Sequence, residues 1–444
     1  MGLTAELGVF VAGLRTEGVP AGVVPSVRRG IADTVGVSFA ALDEAVVAHA
    51  QAIVTAGATG EARIWITGER ASAGDAAFVN AVAGHALDFD DTGLDGHPSV
   101  VLAPAILAEA ERLGRPWHDV VTAYAAGYEV WAELSSRDDD KHHGKGWHPT
   151  AVFGVVACAA AGAWLRGLDA TRASHALGIA SSMAAGLVAN FGSMTKPLQV
   201  GFAARNGLLA AALAERGVTS THDALESARG FLAAISPSGR VRLDGPSRAG
   251  APWQLVRQGL NIKRYPACYA THRIIDAALS LRPQLGARLD EVEEIVAEVG
   301  QLQAAMLRSS RPQTGLDAKF SAEFTIACAL ARGHVDLQDL TDASVPQPDV
   351  QALLRRVRVV VQTEADPEEP LFSPEDRLTV RLRDGTSVQA VPVRRALGHA
   401  SRPVGEPELK AKFMACARTA VSDEVAQAWW SAAMSDPHAP VRWP

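Results

Sequence analysis

Ala83-Gly-His-Ala-Leu-Asp-Phe-Asp-Asp-Thr-Gly-Leu-Asp-Gly-His-Pro-Ser99 places four carboxylates, two imidazoles and a threonine within seventeen residues, between two stretches of apolar, helix-periodic sequence. Upstream, Ala76, Val79, Val82 and Ala83 recur at helical spacing, which predicts a helix carrying His85, Asp88 and Thr92 on one face. Gly93 and Gly96 break it. Pro98 suits the first turn of a second helix, Ser99 to Leu113, because its missing N–H would be unpaired there anyway. The polar groups therefore gather at a helix-to-helix corner. Asp and Gly are also ordinary turn residues, so a solvated acidic loop is the alternative. The apolar character of both flanking helices argues for burial, and buried carboxylates need partners or a task.

Outward from this corner, residues 3 to 217 read as helix after helix, broken at Gly18-Val-Pro20, Gly57 to Gly60, Gly114 to Pro116 and Gly167, with one short strand expected at Ala62 to Thr67. The helices His148 to Arg166 and Thr171 to Ala189 are dominated by Ala, Gly, Ser and Val, whose small side chains let helix axes approach closely. After a loop rich in Pro, Gly and Ser (Pro237 to Pro252) the texture changes. Glu291 to Val299, Val357 to Glu364 and Leu378 to Arg383 carry alternating or β-branched runs, Asp384-Gly385 signals a hairpin, and helical stretches at Ala270 to Ser280 and Ser321 to Arg332 lie among them. Helical periodicity returns at Glu406 to Thr419 and Asp423 to Met434, and Pro437 to Pro444 reads as an extended tail. The expected fold is mainly α: an all-helical domain over residues 1–262, a smaller α+β domain over 263–400, and C-terminal helices over 401–444 that return to the helical domain.

At 444 residues the chain exceeds one ordinary core, in keeping with two domains. The net charge of −7 is spread without a basic stripe, which argues against nucleic acid as a partner. The most apolar run, Ala151 to Leu165, is too short for a membrane span. Cys158, Cys268, Cys328 and Cys416 are widely separated, so no zinc or iron–sulfur spacing is signalled and a reducing cytoplasm fits. The N-terminus lacks the pattern of a signal peptide.

Three further places can carry chemistry. From Ala173 through Ala204, Lys196 is the only residue formally charged at neutral pH, set in Asn190-Phe-Gly-Ser-Met-Thr-Lys-Pro197 between apolar helices. Such an ammonium must meet an anion, either a protein carboxylate or a substrate. His148 precedes Pro149-Thr150, which fixes its imidazole where loop and helix meet, a suitable place for an acid, a base or a structural cap. Lys263-Arg-Tyr-Pro-Ala-Cys-Tyr-Ala-Thr-His272 lies where the two textures join. Asp88-Phe-Asp-Asp91 also fits the short DxDD pattern of class II terpene cyclases, but only 6% of the chain is aromatic, too little for the walls of a carbocation cavity. A non-catalytic helical interaction module would leave Lys196 without a purpose.

Taken together, His85-Ala-Leu-Asp-Phe-Asp-Asp-Thr92 with His97-Pro-Ser99, Gly146-Trp-His-Pro-Thr150, Asn190 to Pro197 with Ala203-Ala-Arg-Asn-Gly207, Lys263 to His272, and Ala318-Lys-Phe-Ser321 resemble the MmgE/PrpD family in order and spacing. The family includes 2-methylcitrate dehydratase, cis-aconitate decarboxylase and iminodisuccinate epimerase. The resemblance implies an all-helical large domain, a smaller α+β lid domain, a homodimer, and a metal-independent, cofactor-free site for small di- or tricarboxylates. It carries active-site roles onto Asp88, Thr92, His97, His148, Lys196, Lys263 and His272. Phe324 stands where the dehydratases and the decarboxylase have a tyrosine, so it is expected to face substrate without a phenolic proton.

These groups suit proton abstraction next to a carboxylate, which builds an aci-carboxylate that positioned cations must hold. Lys196 and Lys263 are the candidate cations. His97 or His148 would move the proton, Asp88 would tune an imidazole or lysine, and Thr92 would bind substrate. The reading is a lyase of the dehydratase type, with an epimerase or isomerase of a substituted dicarboxylate as the alternative that Phe324 favours.

Overall fold

The computed structural model of the chain describes residues 1–54, 60–435 and 438–444. Its backbone forms two compact units, residues 1–262 with 405–444, and residues 263–404. The fold is mainly α, with the strands concentrated in the smaller, α+β unit.

In the first unit the helix Pro149–Leu165 is the central rod, with every side chain buried except Trp164. It packs against Trp117–Ser136, Pro98–Leu113 and Thr195–Glu215. Small residues permit this. A Cβ at Gly207 would stand 2.3 Å from the Cβ of Cys158, so only glycine lets those two helices approach so closely. The helix Ala73–Ala86 lies against Pro98–Leu113 and Thr195–Glu215, and Glu406–Ala417 packs on Val23–Ala40.

Several sequence expectations shift here. The helix entering the acidic stretch stops at Ala86, so Asp88 and Thr92 lie on a loop instead of a helical face. Asp88 has φ +53, and Leu94 and Asp95 have φ +50 and +58. The last two form a tight turn closed by reciprocal bonds between the backbones of Gly93 and Gly96 at 2.9 and 2.8 Å. Of the expected strand at Ala62 to Thr67, only β1 (Ala62–Arg63) pairs, with β2 (Arg70–Ala71). The Trp65 N–H turns aside and donates to Asn80 Oδ1 at 2.9 Å. The helix expected from Thr171 to Ala189 ends at Ser181. The tail is extended but pinned: Trp117 N–H donates to the Ala439 carbonyl at 3.0 Å, and Trp443 stacks on Trp429 at 4.9 Å between ring centroids. Gly57 and Pro437, expected at a break and at the start of the tail, lie outside the described residues.

The second unit carries a four-stranded sheet made of β3 (Val292–Gly300), β4 (Val357–Gln362), β5 (Arg377–Leu382) and β6 (Ser387–Gln389), in the order β4-β3-β5-β6. Strand β3 runs parallel to β4 and antiparallel to β5, with Ile295 opposite both Val357 and Val380. The Asp384-Gly385 turn joins β5 to β6 as the sequence predicts. The helices His272–Leu285 and Ala322–Arg332 pack together, and Ile274, Ala278, Phe324, Ile295, Val299 and Val380 belong to one apolar core. Among the described residues, no helix is long and apolar enough to cross a membrane.

Candidate active site

Three helices of the first unit begin at the acidic corner. His97 and His148 are the N-cap residues of helices whose first residue is a proline, Pro98 and Pro149, and Lys196 is the second residue of Thr195–Glu215. Helix N-termini carry partial positive charge and unpaired N–H groups, so the side chains arrive in surroundings that favour an anion.

Lys196 Nζ lies 2.8 Å from Asp88 Oδ1, and the two side chains keep 13% and 15% of their surface exposed. The ammonium also stands 5.2 Å from the centre of the Phe191 ring. His97 Nε2 is 3.8 Å from the same Asp88 oxygen, while its Nδ1 is 2.9 Å from Asp90 Oδ2, at ion-pair distance although off hydrogen-bond alignment. Asp90 is fully buried and also meets His85 Nδ1 at 3.0 Å. Burial works to raise the Asp90 carboxyl, yet His85 and His97 outweigh it and hold the group well below the ordinary carboxylate range. His85 is lowered to about 4 by burial, against the pull of Asp90.

His148 is clamped by a different partner. Its Nδ1 lies 2.8 Å from Gln199 Oε1, and Gln199 Nε2 donates to the Leu187 carbonyl at 3.1 Å. That second bond fixes the amide orientation, so Nδ1 carries the proton and Nε2 the lone pair. His148 Nε2 is buried without a hydrogen-bond partner among the described residues. Burial, with His85 and Lys196 nearby, keeps this imidazole well below its usual range and therefore neutral. The rings of His85 and His148 stack at 5.8 Å, and those of His85 and His97 meet edge to face at 4.7 Å.

Thr92 shares the acidic loop. Its backbone exchanges two 2.9 Å bonds with Asn261, and its buried hydroxyl has no partner among the described residues. Asp91 points elsewhere: it accepts from Ser99 N–H at 3.1 Å and from the Ser99 hydroxyl, which lies 2.7 Å from Tyr124 Oη. Burial raises its carboxyl well above the usual range, which suits a structural, protonated side chain.

His85, Asp88, Asp90 and His97 present ligand-type atoms within 4.8 Å of one another. Their charges are already answered, since Lys196 holds Asp88 and two imidazoles meet Asp90. A divalent ion entering there would have to displace or repel an ammonium, since these donors already meet one another as partners.

Residues 5–244 match the MmgE/PrpD N-terminal domain and residues 265–435 the MmgE/PrpD C-terminal domain. The chain belongs to the MmgE/PrpD family. Its relatives include the cis-aconitate decarboxylase of Mus musculus, 29% identical over 435 residues that cover 93% of this chain and 86% of the relative. The Homo sapiens enzyme of that name is 32% identical over 361 residues, covering 78% and 73%, and one from Aspergillus terreus is 27% identical over 453 residues, covering 95% and 90%. Membership of this family with such relatives makes the chain an enzyme, a lyase.

The other candidates of this MmgE/PrpD chain belong to its second unit. Lys263 and His272 are both buried, and His272 Nε2 lies 3.3 Å from the Ala267 carbonyl oxygen. The rings of Tyr265 and Tyr269 flank His272 at 5.1 and 5.0 Å. The Phe324 ring has no exposed surface and packs in the apolar core of the sheet and helices, where the α-helical periodicity of Ala322–Arg332 directs it inward. Its full burial matches that of Lys263 and His272 in the same unit. Asp90 and Gln199 were not singled out from the sequence. A signal existed for Asp90, the central acid of the Asp88-Phe-Asp-Asp91 run, but none for a glutamine inside an apolar helix.

Proposed function

We propose that this lyase decarboxylates an unsaturated tricarboxylate of the cis-aconitate type at the corner built by Asp88, Thr92, His97, His148 and Lys196. The match to cis-aconitate decarboxylases along most of both chains carries the reading, and the meeting of an ammonium, two imidazoles and three helix N-termini supports an anionic substrate. In such a substrate the departing carboxylate sits on a carbon next to the double bond. Breaking that C–C bond releases CO₂, and its electron pair shifts through the alkene onto the carbon beside a second carboxylate. Charge accumulates there as an aci-carboxylate, which Lys196 would hold in a site of low polarity. His97 as an imidazolium would then deliver its proton to that carbon, leaving a dicarboxylate with a terminal alkene. Asp88 would keep Lys196 and His97 aligned, and the Thr92 hydroxyl would donate to a substrate carboxylate. Lys263 and His272 enter this reading by family resemblance alone.

One observation favours a second reading. His148 presents a bare, buried lone pair, which is a base, and decarboxylation of an already unsaturated acid consumes no base. A dehydratase does, because a C–H proton must leave before water does.

The two readings separate in one experiment. Purified protein in D₂O is given cis-aconitate or citrate and followed by NMR. Decarboxylation is expected to release CO₂ and give a terminal alkene carrying one deuterium on the saturated carbon beside a carboxylate, with none on the alkene carbon that lost CO₂. Alkene formation from citrate, with no CO₂ from cis-aconitate, would replace it with the hydro-lyase reading. Lys196→Ala should lower kcat/KM at least a hundredfold, ~2.7 kcal/mol of transition-state stabilisation, with little change in Tm. A variant that melts early with unchanged kcat/KM would make Lys196 a structural partner of Asp88.

A further inference from the structure

Asp90 meets two imidazoles through the same ring nitrogen of each, His85 Nδ1 at 3.0 Å and His97 Nδ1 at 2.9 Å. The His85 contact is aligned as a hydrogen bond, so its Nδ1 carries the proton; the His97 contact is an ion-pair distance off that alignment, where the carboxylate acts on the ring by its charge and not through a directed bond. The outer nitrogens differ. His85 is fully buried, its Nε2 has no partner among the described residues, and burial leaves the ring neutral near pH 7. His97 keeps 15% of its side chain exposed, and its Nε2 stands 3.8 Å from Asp88 Oδ1. A bare lone pair there would be repelled, whereas an N–H there is attracted by Asp88 in front and Asp90 behind. Both carboxylates, Asp88 at 3.8 Å and Asp90 at 2.9 Å, therefore attract positive charge to His97.

We propose that Asp90 is a positioning residue, which holds His97 as an imidazolium with its Nε2–H turned outward as the acid of the reaction, while His85 Nδ1 spans both oxygens of the same carboxylate and keeps it from rotating. The inference rests on the reading that His97 returns a proton to carbon. Around His97 stand Asp88, Asp90, His85, His148, Lys196 and His143. The two carboxylates favour its charge and the cationic Lys196 opposes it.

Asp90→Asn keeps the shape, removes the charge and sets an amide N–H₂ against one Nδ1–H. An acid that must be protonated loses activity as pH rises through its pKa, and removing a nearby anion lowers that pKa. The expected result is a kcat reduced at least tenfold, a KM within threefold, and an alkaline limb of kcat displaced to lower pH by about one unit. Asp90→Glu, which keeps the anion, should restore the limb. An Asp90→Asn enzyme with kcat and alkaline limb both unmoved would overturn the proposal. Should that variant not fold, ¹⁵N-histidine NMR of the wild-type protein decides without substrate: His97 doubly protonated at pH 7 and His85 neutral with the proton on Nδ1 supports it, and a neutral His97 overturns it. The same spectrum keeps its force if cis-aconitate proves not to be turned over, so the two readings fail separately.

Discussion

The cost of burying His85 should be visible in how the protein melts. Burial takes this imidazole from 6.5 to about 4 even though Asp90 pulls the other way. As pH falls the unfolded chain binds this proton first. The stability that neutral His85 contributes is therefore complete above about pH 6.5 and is lost between there and about pH 4, at about 1.4 kcal/mol for each unit of displacement. Thermal melts between pH 7 and 4 should show Tm falling steadily across that window, and His85→Gln should flatten part of the slope; a wild-type Tm independent of pH there would refute the assignment. Individual residues were legible where they broke their local pattern. Lys196 did so as a lone charge in an apolar region, and His97 and His148 did so as histidines placed before prolines. Gln199 broke no pattern, because its importance comes from the Leu187 carbonyl that fixes its amide, a partner that only tertiary packing supplies.

Among elements, the short segment around Gly186 seats His148. The His148 N–H donates to the Gly186 carbonyl at 3.0 Å, and Val188 N–H donates to the Gly146 carbonyl at 2.9 Å, so two loop strands are stitched together beside the ring. Gly186 has φ +129, and a Cβ there would stand 2.8 Å from Ala151 Cβ, 3.1 Å from Gln199 Oε1 and 3.4 Å from His148 Cβ. Backbone strain and crowding both act on the clamp that sets the His148 tautomer. Gly186→Ala should lower kcat at least tenfold while lowering Tm by only a few degrees, measured by steady-state kinetics and calorimetry; full activity would show that the clamp tolerates displacement. At this scale the start signals were readable: the prolines at 98 and 149 open their helices as first-turn proline chemistry requires. The ends were less readable. The acidic stretch leaves helical geometry at Asp88 through a left-handed backbone that a short polar side chain tolerates, and periodicity cannot report that. Alternation placed β3 and β5 within a residue or two because each buries one face, and β4 by its β-branched run although none of its residues is fully buried; the burial of Phe324 in the core of its unit comes from tertiary packing that motif alignment does not report.

At the scale of the molecule, the acidic corner is held from behind by the far end of the chain. Lys412, on the helix Glu406–Ala417, places Nζ 2.6 Å from Asp33 Oδ1, 2.8 Å from the Phe89 carbonyl and 3.8 Å from the centre of the Phe89 ring. Asp33 is 2% exposed and Lys412 8%, and Phe89 lies between the two acids that organise the site, Asp88 and Asp90. One buried ammonium thus links an N-terminal helix, the acidic loop and a C-terminal helix, residues separated by more than three hundred positions in sequence. Losing it removes the ion-pair partner at 2.6 Å from a buried carboxylate near Asp91, and breaking a buried pair costs more than the pair itself gained. Lys412→Met should therefore destabilise the protein by about 3–5 kcal/mol, read as a lower denaturant midpoint with an unchanged slope. Combining it with Asp33→Asn removes the buried negative charge and should recover part of that loss. The Phe89 carbonyl still lacks its donor in the double variant, so kcat should remain at least several-fold below wild type although part of the stability returns. A double variant as unstable as Lys412→Met alone would show that the buried Asp33 charge is not the cause. Recovery of both stability and kcat would show that the loop bearing Asp88 and Asp90 keeps its place without the lysine.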